Sequence, residues 1–92
     1  MLKIKVENMT SSRGNKIANQ FIIRTDEGVF FQSYDTVIAF KPFRTGKIIL
    51  DENSWDYSTT TGKYRNDFLN ESIAITRKKI SSKEYKLADL NG

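Results

Sequence analysis

The chain has 92 residues, with 15 Lys and Arg against 11 Asp and Glu, for a formal net charge of +4. It contains neither Cys nor His. That excludes a disulfide framework, a thiol nucleophile, a Cys/His zinc centre and a histidine general base. A chain of this length forms one domain, residues 1–92, and buries only about 60–65% of its unfolded surface.

The first three-fifths reads as sheet. Leu2, Ile4 and Val6 alternate with Lys3, Lys5 and Glu7, a period of two that makes one face apolar. Asn8 to Lys16 is polar and without period, which predicts a loop. From Ile17 to Thr25 the β-formers return, with Phe21 and Ile23 on one face and Ile22 on the other. Asp26-Glu27-Gly28 is the clearest turn signal, since Gly28 can adopt the positive φ that a short hairpin needs. Its return strand, Val29 to Tyr34, offers Val29, Phe31 and Ser33 to one face and Phe30, Gln32 and Tyr34 to the other. Val37 to Phe40 is a further short strand, ended by Lys41-Pro42 because proline cannot donate to a ladder. A second hairpin tip near Gly46 leads into Ile48-Ile49-Leu50.

Past Asp51 the spacing turns helical. Asp56 or Ser58 can cap a helix on which Thr61, Tyr64, Phe68 and Leu69 form one stripe. A second helix is expected after Asn70, with Ile73 and Ile80 on one face and Lys78 and Lys79 opposite. Ile75 falls on the wrong side of it, which keeps a strand over Ser72 to Thr76 open as an alternative. Tyr85, Leu87 and Leu90 read as a docking segment or one more strand. The expected fold is α+β: an antiparallel sheet of about five strands backed by two C-terminal helices.

The basic excess is a C-terminal feature. Arg77, Lys78, Lys79, Lys83 and Lys86 face only Glu84 within residues 73–86, and the rest of the chain is neutral. A solvated helix face is the plain reading of such a run; phosphates or an acidic protein are the functional ones. The chain has no apolar run of about 18 residues, so no membrane span is expected. The charged alternation at the N-terminus is unlike a signal peptide, and with the lack of Cys it points to an intracellular setting.

Motifs for chemistry are weak. Gly14-Asn15-Lys16 lacks the upstream glycine of a phosphate-binding loop. Asp51, Glu52, Asn53 and Asp56 offer oxygens for a hard cation but miss the EF-hand template, and helix capping accounts for Asp56. Serines have no histidine to activate them. The expectation is a protein without enzymatic activity, cofactor or metal.

Aromatics crowd the stretch from Phe30 to Phe68, interleaved with Arg24, Lys41, Arg44, Lys63 and Arg65. Stacking beside cations suits single-stranded nucleic acid, but a small sheet also needs aromatics for its core. Phe43, Trp55 and one of Phe30 or Phe31 are expected at the surface, marking a contact patch.

Three stretches carry a resemblance: Arg13 to Phe21, Phe31 to Tyr34, and Trp55 to Tyr64 running on to Phe68-Leu69. Together they resemble a family of small proteins encoded by tailed phages and prophages. The resemblance implies a product made in the bacterial host cytoplasm. Small phage proteins of that setting often inhibit host or anti-phage machinery, anti-CRISPR proteins included, or act as accessories in DNA handling. The leading expectation is a protein-binding inhibitor of a host or defence protein, anchored by Phe30, Phe43 and Trp55. The alternative is a nucleic-acid accessory that places Lys78, Lys79, Lys83 and Lys86 on phosphates.

Overall fold

A computed structural model describes residues 3–92. Among them, β1 (Lys5–Thr10), β2 (Lys16–Arg24), β3 (Gly28–Ser33), β4 (Thr36–Pro42), β5 (Ile49–Asp51) and β6 (Lys86–Ala88) make one sheet in chain order. Helices α1 (Thr59–Leu69) and α2 (Ile73–Ser81) lie between β5 and β6 in the sequence. The α+β architecture expected from the pattern is present. β1 to β5 pair antiparallel, while β6 runs parallel to β5 and makes the sheet mixed. That reversal follows from the two-helix connection, because a parallel neighbour needs a long crossover.

Several boundaries differ from expectation. Leu2, expected on the apolar face of the first strand, lies outside the described residues. β1 extends to Thr10, since Asn8 pairs with Phe21 and its amide donates to the Ile17 carbonyl at 2.8 Å. This shortens the expected loop to residues 11–15. Pro42 closes β4 opposite Gly28 rather than standing outside it. Gly28 has φ 159°, nearly extended, so it is not at the positive-φ position of a tight turn. Its fixed requirement is space: a Cβ there would collide with the Lys41 carbonyl and reach within 2.6 Å of the Phe40 ring. Gly46, at φ 68°, does take the left-handed conformation its loop needs.

Ser58 caps α1, its hydroxyl accepting from Thr61 N–H at 3.0 Å, and Asn70 ends it in the left-handed conformation. The buried face is Thr61, Arg65, Phe68 and Leu69, at helical spacing. Phe68 meets Phe31 with ring centroids 5.7 Å apart, and the Thr61 and Ser33 hydroxyls are 3.1 Å apart. Ser72 caps α2, which settles residues 73–76 as helix and leaves Ile75 exposed. Thr76 and Ile80 face inward instead.

The core is Phe31, Ile38, Ala39, Leu50, Phe68, Leu69 and Tyr85, all on the helix-covered side of the sheet. A bulge between Phe31 and Gln32 of β3 and the facing residues of β4 lets Ile38 and Ala39 both be buried.

A candidate docking surface on the open face of the sheet

Side chains directly opposite each other on neighbouring strands share a face, so the register sorts the sheet into rows. One row runs Glu7, Ile22, Phe31, Ala39, Leu50, Leu87 and carries the core under the helices. The next runs Val6, Ile23, Phe30, Phe40, Ile49 and ends on Lys86. It points the other way. None of its members belongs to the core cluster or to the residues packed on it.

This second face has no helix over it. Val6 is 58% exposed, and Ile23, Phe30, Phe40 and Ile49 are half-buried by one another. Phe30 and Phe40 stack in register, ring centroids 4.1 Å apart and 14° from parallel. A flanking row, Asn8, Phe21, Gln32 and Val37, adds no charge. Between Val6 and Ile49 these two rows carry no charge; Lys16, opposite Thr10, and Lys86 stand at the margins of the face.

Beside the middle of the row, past the end of β4, the following loop raises Phe43, 66% exposed. Its N–H donates to the Glu27 carbonyl at 3.0 Å, which fixes the loop against the turn between β2 and β3. Phe40, Pro42, Phe43 and Arg44 line a concavity of about 610 Å³ there with Asp26 and Glu27. Phe30 joins it through its stack on Phe40.

The expected aromatic anchors are thus divided. Phe30 and Phe43 come together around Phe40, while Phe31 is wholly buried. Trp55, expected at the surface, is half-buried against the core, with the Arg65 guanidinium 5.3 Å from its ring centroid. Its backbone carbonyl accepts from Arg65 at 2.7 Å, so this segment is bound up in holding α1.

The basic residues are divided as well. Lys79, expected on the outer face of α2, turns to Glu71 at 2.9 Å, and that hydrogen bond raises its pKa against a smaller desolvation effect. Lys78 stays exposed. Lys83 and Lys86 line a separate concavity of about 560 Å³ with Ile80, Tyr85 and Leu87, where Lys47 joins them from the loop before β5. Nothing in the spacing of the sequence brings Lys47 to that set.

The carboxylates of interest are engaged within the fold. Asp51 accepts from Leu90 N–H at 2.9 Å, and Asp56 accepts from both Arg65 and Arg77. Glu71 accepts from Thr76, Tyr85 and Lys79 at 2.6, 2.7 and 2.9 Å. Among the described residues no group of three or more Asp or Glu is placed to hold a metal ion. No helix is long and apolar enough to cross a membrane.

A family described as of unknown function, DUF8033, matches residues 4–86. The chain belongs to the DUF8033 family. The matched span covers β1 through α2 and stops at the first residue of β6. Every apolar member of the open row lies inside the DUF8033 match. No curated protein and no solved structure matches the chain.

Proposed function

We propose that this protein is a non-enzymatic protein-binding domain that docks its partner on the open sheet face. The carrying observation is the uncharged row from Val6 to Ile49 with Phe43 beside its central Phe40. Antiparallel sheets with a solvated face usually place polar side chains there. A contiguous apolar face in water marks a contact surface, and a few aromatic anchors can dominate the binding energy. The stacked Phe30 and Phe40, with Phe43 beside them, are the anchors of this reading. The non-enzymatic part is supported by the engaged state of Asp51, Asp56 and Glu71. The resemblance to small phage proteins supports a bacterial host or defence protein as the partner, and so an inhibitory role.

The nucleic-acid reading draws on the concavity shared by Lys47, Lys83 and Lys86. It has lost Lys79 to Glu71.

Affinity capture from bacterial lysate with the full chain, before and after nuclease, tests the choice. The expected partner survives nuclease and raised salt, and is lost with Phe43→Glu. A partner released by nuclease and indifferent to Phe43→Glu would transfer the function to the lysines.

A further inference from the structure

Three lysines from three parts of the chain gather at the start of β6. Lys47 comes from the loop before β5, Lys83 from the turn after α2, and Lys86 opens β6 itself. All three line the concavity of about 560 Å³ that Ile80, Tyr85 and Leu87 complete. Backbone bonds fix their spacing: Lys83 N–H donates to the Ile80 carbonyl at 3.1 Å, Tyr85 N–H to Lys79 at 3.0 Å and Lys86 N–H to Ile48 at 3.0 Å. We propose that this concavity binds a phosphoryl group carried on an apolar or aromatic body, the chemistry of a nucleotide. It shares no lining residue with the concavity around Phe43, so it is a second site rather than part of the docking face.

Charge is the first argument. Among the described residues no carboxylate lies within 4 Å of any of the three ammoniums, and none lines the concavity. Glu84, which stands between Lys83 and Lys86 in the sequence, lies 3.8 Å from Lys79, and Glu71 is drawn to the same lysine at 2.9 Å. Like charges around one volume repel until an anion enters. A phosphoryl group brings nearly two negative charges to a single point, whereas the carboxylates of a peptide arrive one per side chain. A shared volume therefore favours phosphate, which lysine meets as a point charge.

The wall and the backbone add to this. Ile80 and the Tyr85 ring back the site, and Leu87 is exposed beside the cations, an apolar surface for the body of the ligand. The volume falls within the roughly 300–1,000 Å³ of small-molecule sites. Lys83 has φ 65°, the left-handed conformation, directly after the Ser82 cap of α2. Helices that end this way usually place Gly there, sometimes Asn, because a Cβ is strained. Strained non-glycine residues cluster at ligand clamps, and the Lys83 ammonium has no carboxylate within the fold to account for it.

Titration of the full chain with ADP at low salt, followed by its amide NMR signals, is the test. The Lys47, Lys83, Lys86 and Leu87 signals are expected to move together, and adenosine, which lacks phosphate, to bind about tenfold more weakly or worse. Lys83→Gly should weaken ADP about tenfold while its melting temperature holds or rises, because glycine relieves the left-handed strain. A single-stranded oligonucleotide that moves the same signals at lower concentration than ADP makes a strand the source of the phosphate and supports the site. A glutamate-rich peptide that binds there as tightly as ADP overturns the proposal, since charge alone then accounts for binding. So does ADP that leaves these signals unmoved, or that binds Lys83→Gly as well as it binds the wild type.

Discussion

The side-chain amide of Asn91 faces the backbone of Val37 as a neighbouring strand would. Val37 N–H donates to Oδ1 at 2.8 Å, and Nδ2 donates to the Val37 carbonyl at 3.0 Å. β5 pairs only with Ala39 and Phe40 of β4, so Asn91 completes the end that β5 is too short to reach. Asn91→Ala is expected to lower stability by about 1 kcal/mol, since both bonds are exposed and water replaces them in part. A lower urea midpoint with an unchanged slope is the outcome to look for.

Glu71 sets the acid limit of the α2 region. Burial pushes its carboxyl up, but donation from Thr76, Tyr85 and Lys79 outweighs burial and holds it below its ordinary 4.5. A depressed folded pKa gives stability that is present above the unfolded value and lost as pH falls through the folded one. Wild type should therefore weaken progressively below pH 4.5, and Glu71→Gln should flatten that part of the profile in thermal melts. At neutral pH the same substitution is expected to cost about 1–3 kcal/mol, from charge-assisted bonds reduced to neutral ones.

Tyr85 sets an alkaline limit through the same cluster. Burial, with the Glu71 carboxylate beside it, pushes the phenol from 10.0 up to about 12. A raised folded pKa gives stability present below the unfolded value and lost as pH rises through the folded one, here between 10.0 and about 12. The tyrosinate absorbance of wild type minus Tyr85→Phe should titrate near 12. A difference titrating near 10.0 would show that the Glu71 contact does not hold the proton.

Gly28→Ala is expected to be among the costly small substitutions. The added Cβ meets the Lys41 backbone carbonyl and comes within 2.9 Å of Pro42 Cα, and a paired strand cannot move aside cheaply. A loss of about 1–3 kcal/mol follows from overpacking of this kind. Gly14→Ala is the control for crowding, because no atom lies within 4 Å of a Cβ there. It keeps only the strain of φ 79°.

Arg65→Met should cost about 1–3 kcal/mol in chemical denaturation, because the Trp55 carbonyl loses a charged donor while Asp56 keeps Arg77 and water. The side chain is 1% exposed and donates to the Trp55 carbonyl, Asp56 and Asn66. Arg65→Lys should recover only part of the loss, because an ammonium cannot span a fork of partners.

What the sequence made legible was local. Period-two alternation put Phe31 and Ser33 on one face of β3 and Phe30 and Gln32 on the other, and the helix lies over the first pair. Capping chemistry offers Asp56 or Ser58, and it is Ser58 that caps while Asp56 binds Arg65 and Arg77; the stripe through Phe68 and Leu69 is the buried face of α1. Alternation within a strand does not specify its alignment with the next, so the row joining Val6 to Ile49 could not be read in advance. The apolar side chains of Ile4 and Val6 suggested a core face, but they project from the side the helices leave uncovered. The sequence shows Arg65 only as one of several cations among the aromatics; its burial is not legible there because a main partner, the Trp55 carbonyl, leaves no mark in side-chain patterning. Trp55 is half-buried because its ring packs on the core, a tertiary contact that local spacing does not report. The parallel pairing of β6 depends on residues nearly forty positions apart, beyond the reach of any local pattern.

That the strands stand in the sheet in the order in which they occur along the chain has a kinetic consequence. Each pairing from β1 to β5 joins consecutive strands across a short connection, so its loop-closure entropy is small and it can form early. β6 alone must wait for two helices to be laid down and for Asp51 and Val37 to be in place to receive Leu90 and Asn91. The C-terminal strand is thus the last element to be added and the first to peel away. Opening it exposes the β5 edge while the meander stays intact, which makes residues 86–91 the expected low-energy exchange unit of the fold.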